Sequence, residues 1–551
     1  MIDQSTAATA ATTLVFNDAD RQKLAVNAVS EGKPLLFLCN RQLYGLDEWV
    51  LSNILGNLYP TLKIVNADVE TKNPLRPLSD FLTKKRMESL AETLKQSVYA
   101  PEDDTETPVF AMPVAFSPVT LGSTWHQAGL NSFFKTIRDA GFTVVLLHLS
   151  SDNDTAEFDN LIQRVQRSLG SNLIKKLMLL QRTPIAIGQP RTVKIRVSTS
   201  ITPAELKRFD KAHEVRRFIQ SRLFAMESRA ANLPNFFEKW LPKKSDEQEE
   251  KLIKPIDNQL IIAEIAALTE GSCLVVSQSN FDVFVAAAAQ IPSVLQEIGR
   301  LREATFRDIG EGTGRALDID EFDLYYRQLI IWDRTAERIV GGYRIGCGDD
   351  IFKNYGKHGF YISSLFRIGE GFYPILKRSL ELGRSYIVSD YQRKPLPLFL
   401  LWKGILAFLR QNPQYAYLFG PVSMSRQFSD VSRGLVVEFL TKHYFNPKLA
   451  KYLKPRKPFK IKQGGKVDTK LLVKTFGGDL GNLDRFIEGI ETDQLRMPVL
   501  LRQYIRQNAR FIGFNVDPKF SDCLDGFIIL DVKDLPKSTI DNLERTKTPT
   551  E

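Results

Sequence analysis

At 551 residues the chain is too long for one ordinary hydrophobic core, so two domains are expected. Its 74 Lys and Arg against 64 Asp and Glu leave a formal charge of +10 and a pI near 9.2, which favours an acidic partner: acyl carrier protein, anionic membrane and nucleic acid all satisfy it. Four widely spaced cysteines (Cys39, Cys273, Cys347, Cys523) argue against a disulfide framework or a zinc site and for a reducing compartment.

The first residues, Met1 to Thr13, are small and polar, without the basic start and apolar stretch of a signal peptide, and read as disordered. No run reaches the roughly 20 apolar residues needed to span a bilayer. Lys403 interrupts the best candidate, and Glu264 and Glu270 the next. A soluble or membrane-peripheral chain is expected.

Pro34 to Cys39 reads as a buried strand, and Asn40 to Asp47 as a turn into a helix running through Trp49 to Leu58. Asn73-Pro-Leu-Arg-Pro-Leu78, Trp125, Ala140 to His148, Leu177 to Gln181 and Ile187-Gly188 follow in order. This arrangement resembles the glycerolipid O-acyltransferases, in which an Asn-His opens the turn and an Asp closes it, the His serving as base. Here the corresponding positions are Asn40, Arg41 and Asp47, with Gln42 beside them. Arginine stays protonated at any relevant pH and cannot take a proton. The second signature of that family falls near Phe110 to Phe116, which has neither an acid nor a Gly. The resemblance therefore implies a degenerate domain over residues 14–225, inactive, structural or regulatory. His148 with Asp152 is a possible replacement pair; a lone His closing an apolar strand is more often packed core.

Residues 226–257 contain Ser245-Asp-Glu-Gln-Glu-Glu-Lys251 and read as a charged linker. Beyond it, Leu260 to Leu268 predicts a helix, Cys273 to Ser277 a strand, and Phe284 to Ala289 with Val294, Leu295 and Ile298 a helical stretch. Glu297 to Phe306 resembles the first helix of a known acyltransferase group named below, with Arg307 to Arg315 as the loop that follows it. Arg-x-x-Gly-x-Gly at 307–312 matches a coenzyme-A pyrophosphate loop in composition, but it precedes the strands such a loop should follow. An acid cluster, Asp318 to Asp323, leads into Leu324 to Asp333 and Arg338 to Arg344, strand, charged turn and strand. Asp318 reads as a solvated residue capping a strand.

The most informative stretch is Leu380 to Ser423. Glu381-Leu-Gly-Arg-Ser385 lies on a β-prone run, Ser389 to Pro395 makes a turn, Leu398 to Ile405 is an apolar helix, and Tyr417-Leu-Phe-Gly-Pro-Val-Ser423 is a strand. An opposite-charge pair such as Glu381 and Arg384 on a half-buried strand is costly unless partnered, so it marks an ion pair or a site. With Leu301-Arg302 before Phe306, the acids Asp320 and Asp323, Met497 to Arg506, Phe511 to Pro518 and Asp525 to Asp531, these motifs resemble the lipid N-acyltransferases related to acyl-homoserine-lactone synthases. That group includes ornithine- and glycine-lipid N-acyltransferases and proteins labelled hemolysin-like, all with the acetyltransferase (GNAT) fold. Gln328 departs from it, where many relatives have His.

The resemblance implies an α/β protein of two domains, with a C-terminal GNAT mixed sheet flanked by helices over 258–535 and a disordered tail over 536–551. It implies transfer of a fatty acyl group to the amine of a small amino acid in aminolipid synthesis. Glu381 would be the base, Arg384 would hold the acceptor carboxylate or the donor phosphate, and Asp323 would join them as a catalytic residue. Arg302, Phe306, Asp320 and Arg344 would line the acceptor. Ser385, Tyr386, Ile387, Val388, Tyr391, Gln392 and Trp402 would line the acyl donor, with backbone N–H groups of 385–388 facing the thioester oxygen.

The turn at 389–395 lacks a glycine-rich pyrophosphate loop, which favours the phosphopantetheine thioester of acyl carrier protein over acyl-coenzyme A as co-substrate; no bound cofactor or metal is expected. Residues 448–474 carry ten Lys or Arg against one Asp, suiting an anionic membrane surface or the acidic carrier, and nucleic acid is not expected. A cytoplasmic protein at the inner face of the membrane follows. The rival readings are a non-catalytic lipid-binding scaffold and a glycerolipid O-acyltransferase.

Overall fold

The computed structural model describes residues 12–27, 34–40, 47–65, 92, 94, 108–114, 124–151, 191–227, 250–460, 467–491, 495–518, 520 and 522–544. The chain divides into two compact units, 1–233 with 463–495, and 234–462 with 496–551.

The first unit is built on a six-stranded sheet in the order β1 (Thr12–Phe16), β6 (Arg191–Val197), β5 (Thr143–Ser151), β2 (Leu35–Asn40), β4 (Val109–Val114), β3 (Leu62–Ile64). Only β5 and β6 pair antiparallel. β4 along its whole length and β2 up to its closing Asn40 are apolar, and both are buried throughout, as strands covered on both faces must be. The helices Thr469–Phe476 and Leu480–Ile490 belong to this unit, whereas a single boundary near 226–257 was expected. Their apolar residues, among them Leu472, Phe476, Leu483 and Ile487, are buried, and Arg208 donates to the Thr475 carbonyl at 2.7 Å and Arg196 to that of Ile490 at 2.7 Å. An amphipathic helix reveals that it has an apolar face but not which core takes it.

Asn40 is buried and structural: its amide donates to the Leu149 carbonyl at 2.8 Å and accepts from the Leu149 N–H at 2.6 Å. Asp47 opens the helix Asp47–Leu55. Arg41, Asp152 and the motifs at 73–78, 177–181 and 187–188 lie outside the described residues. His148 is 1 % exposed, a core position.

The second unit holds an eight-stranded sheet in the order β15 (Arg510–Asp517), β16 (Cys523–Asp531), β13 (Tyr417–Met424), β12 (Ser379–Ile387), β10 (Arg338–Cys347), β9 (Arg327–Asp333), β8 (Phe281–Ala287), β7 (Leu274–Gln278). Every neighbouring pair is antiparallel except β12 and β13. β11 (Phe366–Ile368) and β14 (Leu453–Pro455) form a separate small ribbon. β8 corrects the expected helix at 284–289: an apolar run buried on both faces shows no alternation, so its periodicity cannot separate the two forms. The tail, expected to be disordered, carries the helix Lys537–Glu544.

The helix Pro395–Gln411 covers the sheet face that carries Val283 and Leu329. A Cβ at Gly404 would lie 2.8 Å from Val283 and 2.9 Å from Leu329, so glycine sets how closely helix and sheet approach. Lys403 keeps its charged end on Gln278 at 2.8 Å. Among the described residues no helix is long and apolar enough to cross a membrane. Strand alternation puts Gln328, Arg344 and Glu381 on the opposite face, where the helix Pro292–Asp308 contributes Arg302.

Candidate active site

β12 is bulged. Gly342 of β10 faces Tyr386 and Arg344 faces Gly383, so two steps on one strand span three on the other. The extra residue includes Arg384 at φ 52°, a left-handed backbone rarely taken by a side-chain-bearing residue. The bulge re-aims Arg384 onto the face already occupied by Glu381. Three residues apart on a regular strand, the two would point to opposite faces.

β12 also leaves its other neighbour. Its parallel pairing with β13 covers Ser379, Leu380 and Glu381, opposite Tyr417, Leu418 and Phe419, and then ends, while β13 stays paired with β16 out to Met424. The two strands fork from Glu381 onward. At Gly420 the backbones still touch, a Cβ there falling 2.1 Å from the Leu382 oxygen, whereas a Cβ at Gly383 would meet nothing within 4 Å. Open space therefore lies on the sheet face beside Gly383, next to the fork.

Glu381 is 1 % exposed. It accepts the Tyr326 hydroxyl, the Tyr361 N–H at 3.0 Å and the Ile362 N–H at 2.7 Å. Burial pushes its pKa up to about 7 against the opposing pull of these hydrogen bonds and of Arg344. Gly346 makes room for Tyr326: a Cβ at that position would lie 2.5 Å from the tyrosine ring.

Beside Glu381 three arginines and three aspartates neutralise one another. Arg302 reaches Asp318 at 3.0 Å and grips both oxygens of Asp323 at 2.9 Å. Arg344 reaches Asp320 at 2.6 Å and Asp323 at 3.2 Å, and Arg384 reaches Asp318 at 3.0 Å and Asp320 at 3.6 Å. Gln328 donates to Asp323 at 3.0 Å, which is the role a donor serves at the position where relatives were expected to have His. The rings of Phe322, Tyr326 and Tyr361 lie within 5.5 Å of the Arg344 guanidinium. The arginines hold the carboxyls of Asp318 and Asp323 below the usual carboxylate range, although burial acts the other way. Asp318 is fully buried, correcting the solvated loop acid expected for it. Phe306 packs edge-on against Phe520 at 5.6 Å, and Phe520 in turn lies 4.8 Å from the Arg384 guanidinium.

The residues expected to line the donor are divided between the two faces. Ser385 lies beside Tyr343, whose hydroxyl meets that of Tyr504 at 2.9 Å, and Trp402 packs on Tyr504 at 5.3 Å, both on the side of the Pro395–Gln411 helix, whereas Tyr386 lies on the side of Glu297 and Arg302. The Val388 N–H is taken by the Val340 carbonyl at 2.9 Å, so Val388 is not a free donor to the thioester oxygen. The Ile387 carbonyl accepts from Gln392 at 3.0 Å and therefore points to the strand's other edge, and its N–H with it. Tyr391 gives its hydroxyl to Asp333 at 2.9 Å, a structural bond. The glycine loop at 310–314 cradles this chain's own carboxylate: Thr313 and Gly314 donate backbone N–H groups to Glu303 at 3.1 and 2.8 Å. It is not a phosphate loop.

Four residues on the Arg384 side of the sheet, Tyr361, Asp517, Ser423 and Asp525, were not among the predicted site residues. Tyr361 lies 5.1 Å from the Arg384 guanidinium and donates its hydroxyl to Asp517 at 3.2 Å, and Ser423 donates to Asp525 at 2.7 Å. An acid inside the apolar run Cys523 to Leu530 was the available signal, because an unpartnered carboxylate in such a strand is expensive.

Residues 301–402 match the acetyltransferase (GNAT) domain family. The glycine N(alpha)-acyltransferase of Phocaeicola vulgatus is 31% identical to this chain over 301 residues, covering 52% of this chain and 90% of the relative. That of Bacteroides thetaiotaomicron is 32% identical over 301 residues, covering 52% and 87%. A match that takes in nearly the whole of both relatives, with the bulged and forked strand inside the GNAT region, places this chain in their family, and it is a GNAT-type N-acyltransferase.

Proposed function

We propose that this enzyme moves a fatty acyl group from the thioester of an acyl carrier protein to the amine of a small amino acid, glycine by analogy with its relatives, in the synthesis of membrane aminolipids. The observation that carries this reading is the fork between β12 and β13, with open space beside it at Gly383 and flanked by Arg384. A thioester carbonyl placed there meets outward N–H groups of β12, which stabilise the oxyanion as the amine attacks. Arg384, 11 % exposed, faces the acceptor carboxylate, while Asp318 and Asp320, themselves held by Arg302 and Arg344, fix its orientation from behind. Glu381, by this account, fixes the Tyr361–Ile362 backbone at the fork.

The carrier protein is favoured over coenzyme A by local backbone chemistry. The helix after the fork starts with Pro395 and has Pro397 in its first turn, removing N–H donors that a pyrophosphate would need. The N–H groups of Tyr391, Gln392 and Lys394 are already bonded to backbone carbonyls. An exposed basic surface, Lys448, Lys451, Lys454, Lys457 and Lys460, forms no ion pair among the described residues and suits an acidic carrier or an anionic bilayer. Beside it lies a cavity of about 210 Å³ lined by Lys357, His358, Arg367 and Arg456. We read the protein as working at the cytoplasmic face of the membrane, with the 1–233 unit in a non-catalytic role.

Purified full-length chain incubated with glycine and either a fatty-acyl carrier protein or the matching acyl-coenzyme A tests this by mass spectrometry. N-acylglycine formed faster from the carrier thioester is expected. Failure to form any N-acyl product from either donor would overturn the reading.

A further inference from the structure

An amino acid reaches the enzyme at neutral pH as an ammonium ion, and its nitrogen cannot attack until a proton leaves. Glu381 is poorly placed to take it, being closed off by three donors from Tyr326, Tyr361 and Ile362. Asp525 is placed differently. It stands on β16 opposite Ser423 of β13, beyond the point where β13 parts from β12, and alternation puts it on the same face as Glu381.

Asp525 is 2 % exposed. Ser423 donates to its Oδ1 at 2.7 Å, and its Oδ2 takes no hydrogen bond among the described residues. In a residue so nearly buried, Oδ2 is the carboxylate oxygen left to accept from a ligand. The charged and titratable groups facing it come from every neighbouring element: Asp517 on β15, Glu311 after the Pro292–Asp308 helix, Cys523 on its own strand, Arg384 on β12, and Tyr361, whose hydroxyl goes to Asp517. The Arg384 charge is already shared with Asp318 and Asp320, so an arriving ammonium meets a wall rich in carboxyl groups.

We propose that Asp525 is the catalytic residue that accepts the acceptor's proton, with Ser423 and Asp517 completing a subsite for the primary ammonium group; the assignment rests on the acyl-transfer reading above. The ammonium gives one proton to Asp525. The freed nitrogen attacks the thioester carbon, forming the C–N bond, and collapse of the oxyanion breaks the C–S bond. Of the three ammonium protons one stays on the amide, one ends on the thiol and one reaches water from Asp525. Burial, with repulsion from Asp517 and Glu311, raises the Asp525 pKa to about 8 against the pull of Ser423 and Arg384, which matches a base for an amine.

The pH dependence of kcat for glycine at saturating acyl carrier thioester, in wild type, Asp525→Asn and Ser423→Ala, tests this. Wild-type kcat should rise through about pH 8. Asp525→Asn should lose about 100-fold or more in kcat and the alkaline rise, with KM for the thioester unchanged. Hydroxylamine, unprotonated at neutral pH, should be acylated by that variant with a much smaller loss. Ser423→Ala, which removes a bond favouring the charged carboxylate, should shift the profile to higher pH, and it answers the question should Asp525→Asn not fold. A folded Asp525→Asn enzyme within twofold of wild type on glycine, with the same pH profile, would overturn the assignment while leaving acyl transfer intact. A wild-type chain inert toward every amine would instead overturn the acyl-transfer reading and this proposal with it.

Discussion

Glu381 and Arg384 meet at one residue, Tyr361: its backbone N–H donates to Glu381 at 3.0 Å and its ring lies 5.1 Å from the Arg384 guanidinium. Only the bulge in β12 makes this possible, since it turns two side chains that a regular strand would separate toward the same face. The acid and the guanidinium therefore act on one loop at the mouth of one fork.

Glu381→Ala should damage both fold and turnover. It leaves the Tyr326 hydroxyl and the N–H groups of Tyr361 and Ile362 buried without their acceptor. A loss of about 3 kcal/mol or more is expected for the second unit, read from its urea unfolding transition. Glu381→Gln, which keeps an acceptor oxygen, should lose less.

Asp323→Ala tests the charge cluster from the other side. It strands Arg302 and Arg344 in a dry interior, each 1 % exposed, and should cost about 3–5 kcal/mol by the same measurement. Replacing Asp323 by Asn should be milder, because one oxygen remains to accept from the arginines.

The pH dependence of stability should show two limbs. Asp318 and Asp323 are held below their ordinary pKa, so their contribution is present above about pH 4 and is lost as pH falls further. Glu381 and Asp525 are raised to about 7 and about 8, so their contribution is complete only below their ordinary pKa and is lost as pH climbs through 7 to 8. Thermal melts from pH 3 to 10 should place maximal stability between the limbs, and Asp525→Asn should melt above wild type at pH 9.

Charge reversal on the basic face addresses the donor. Lys454→Glu with Arg367→Glu should raise KM for the carrier thioester and weaken its salt dependence, with kcat for glycine unchanged. Equal KM values for wild type and the double variant would remove this face from donor recognition.

Much of the catalytic unit was legible in the sequence, and the failures have physical causes. The order of strand, turn, apolar helix and strand from Leu380 to Ser423 could be read because Pro395 and Pro397 punctuate it. The clustering of Arg302, Asp320, Asp323, Arg344 and Arg384 rested on resemblance, because residues up to 82 positions apart carry no local sign that they will meet. Asp318 was misjudged since an acid in a polar loop looks solvated until its arginine partners are known. The fork could not be read at all, because the end of a strand pairing leaves no mark in composition.

The most direct measurement is glycine N-acylation by Gly383→Leu. A side chain at Gly383 grows into space where no atom lies within 4 Å of the new Cβ, so the fold should tolerate it. If the thioester occupies the fork and the space beside it, the leucine takes its place, and transfer should fall about 100-fold or more with the melting temperature unchanged. A folded Gly383→Leu enzyme that acylates glycine at the wild-type rate would contradict the account.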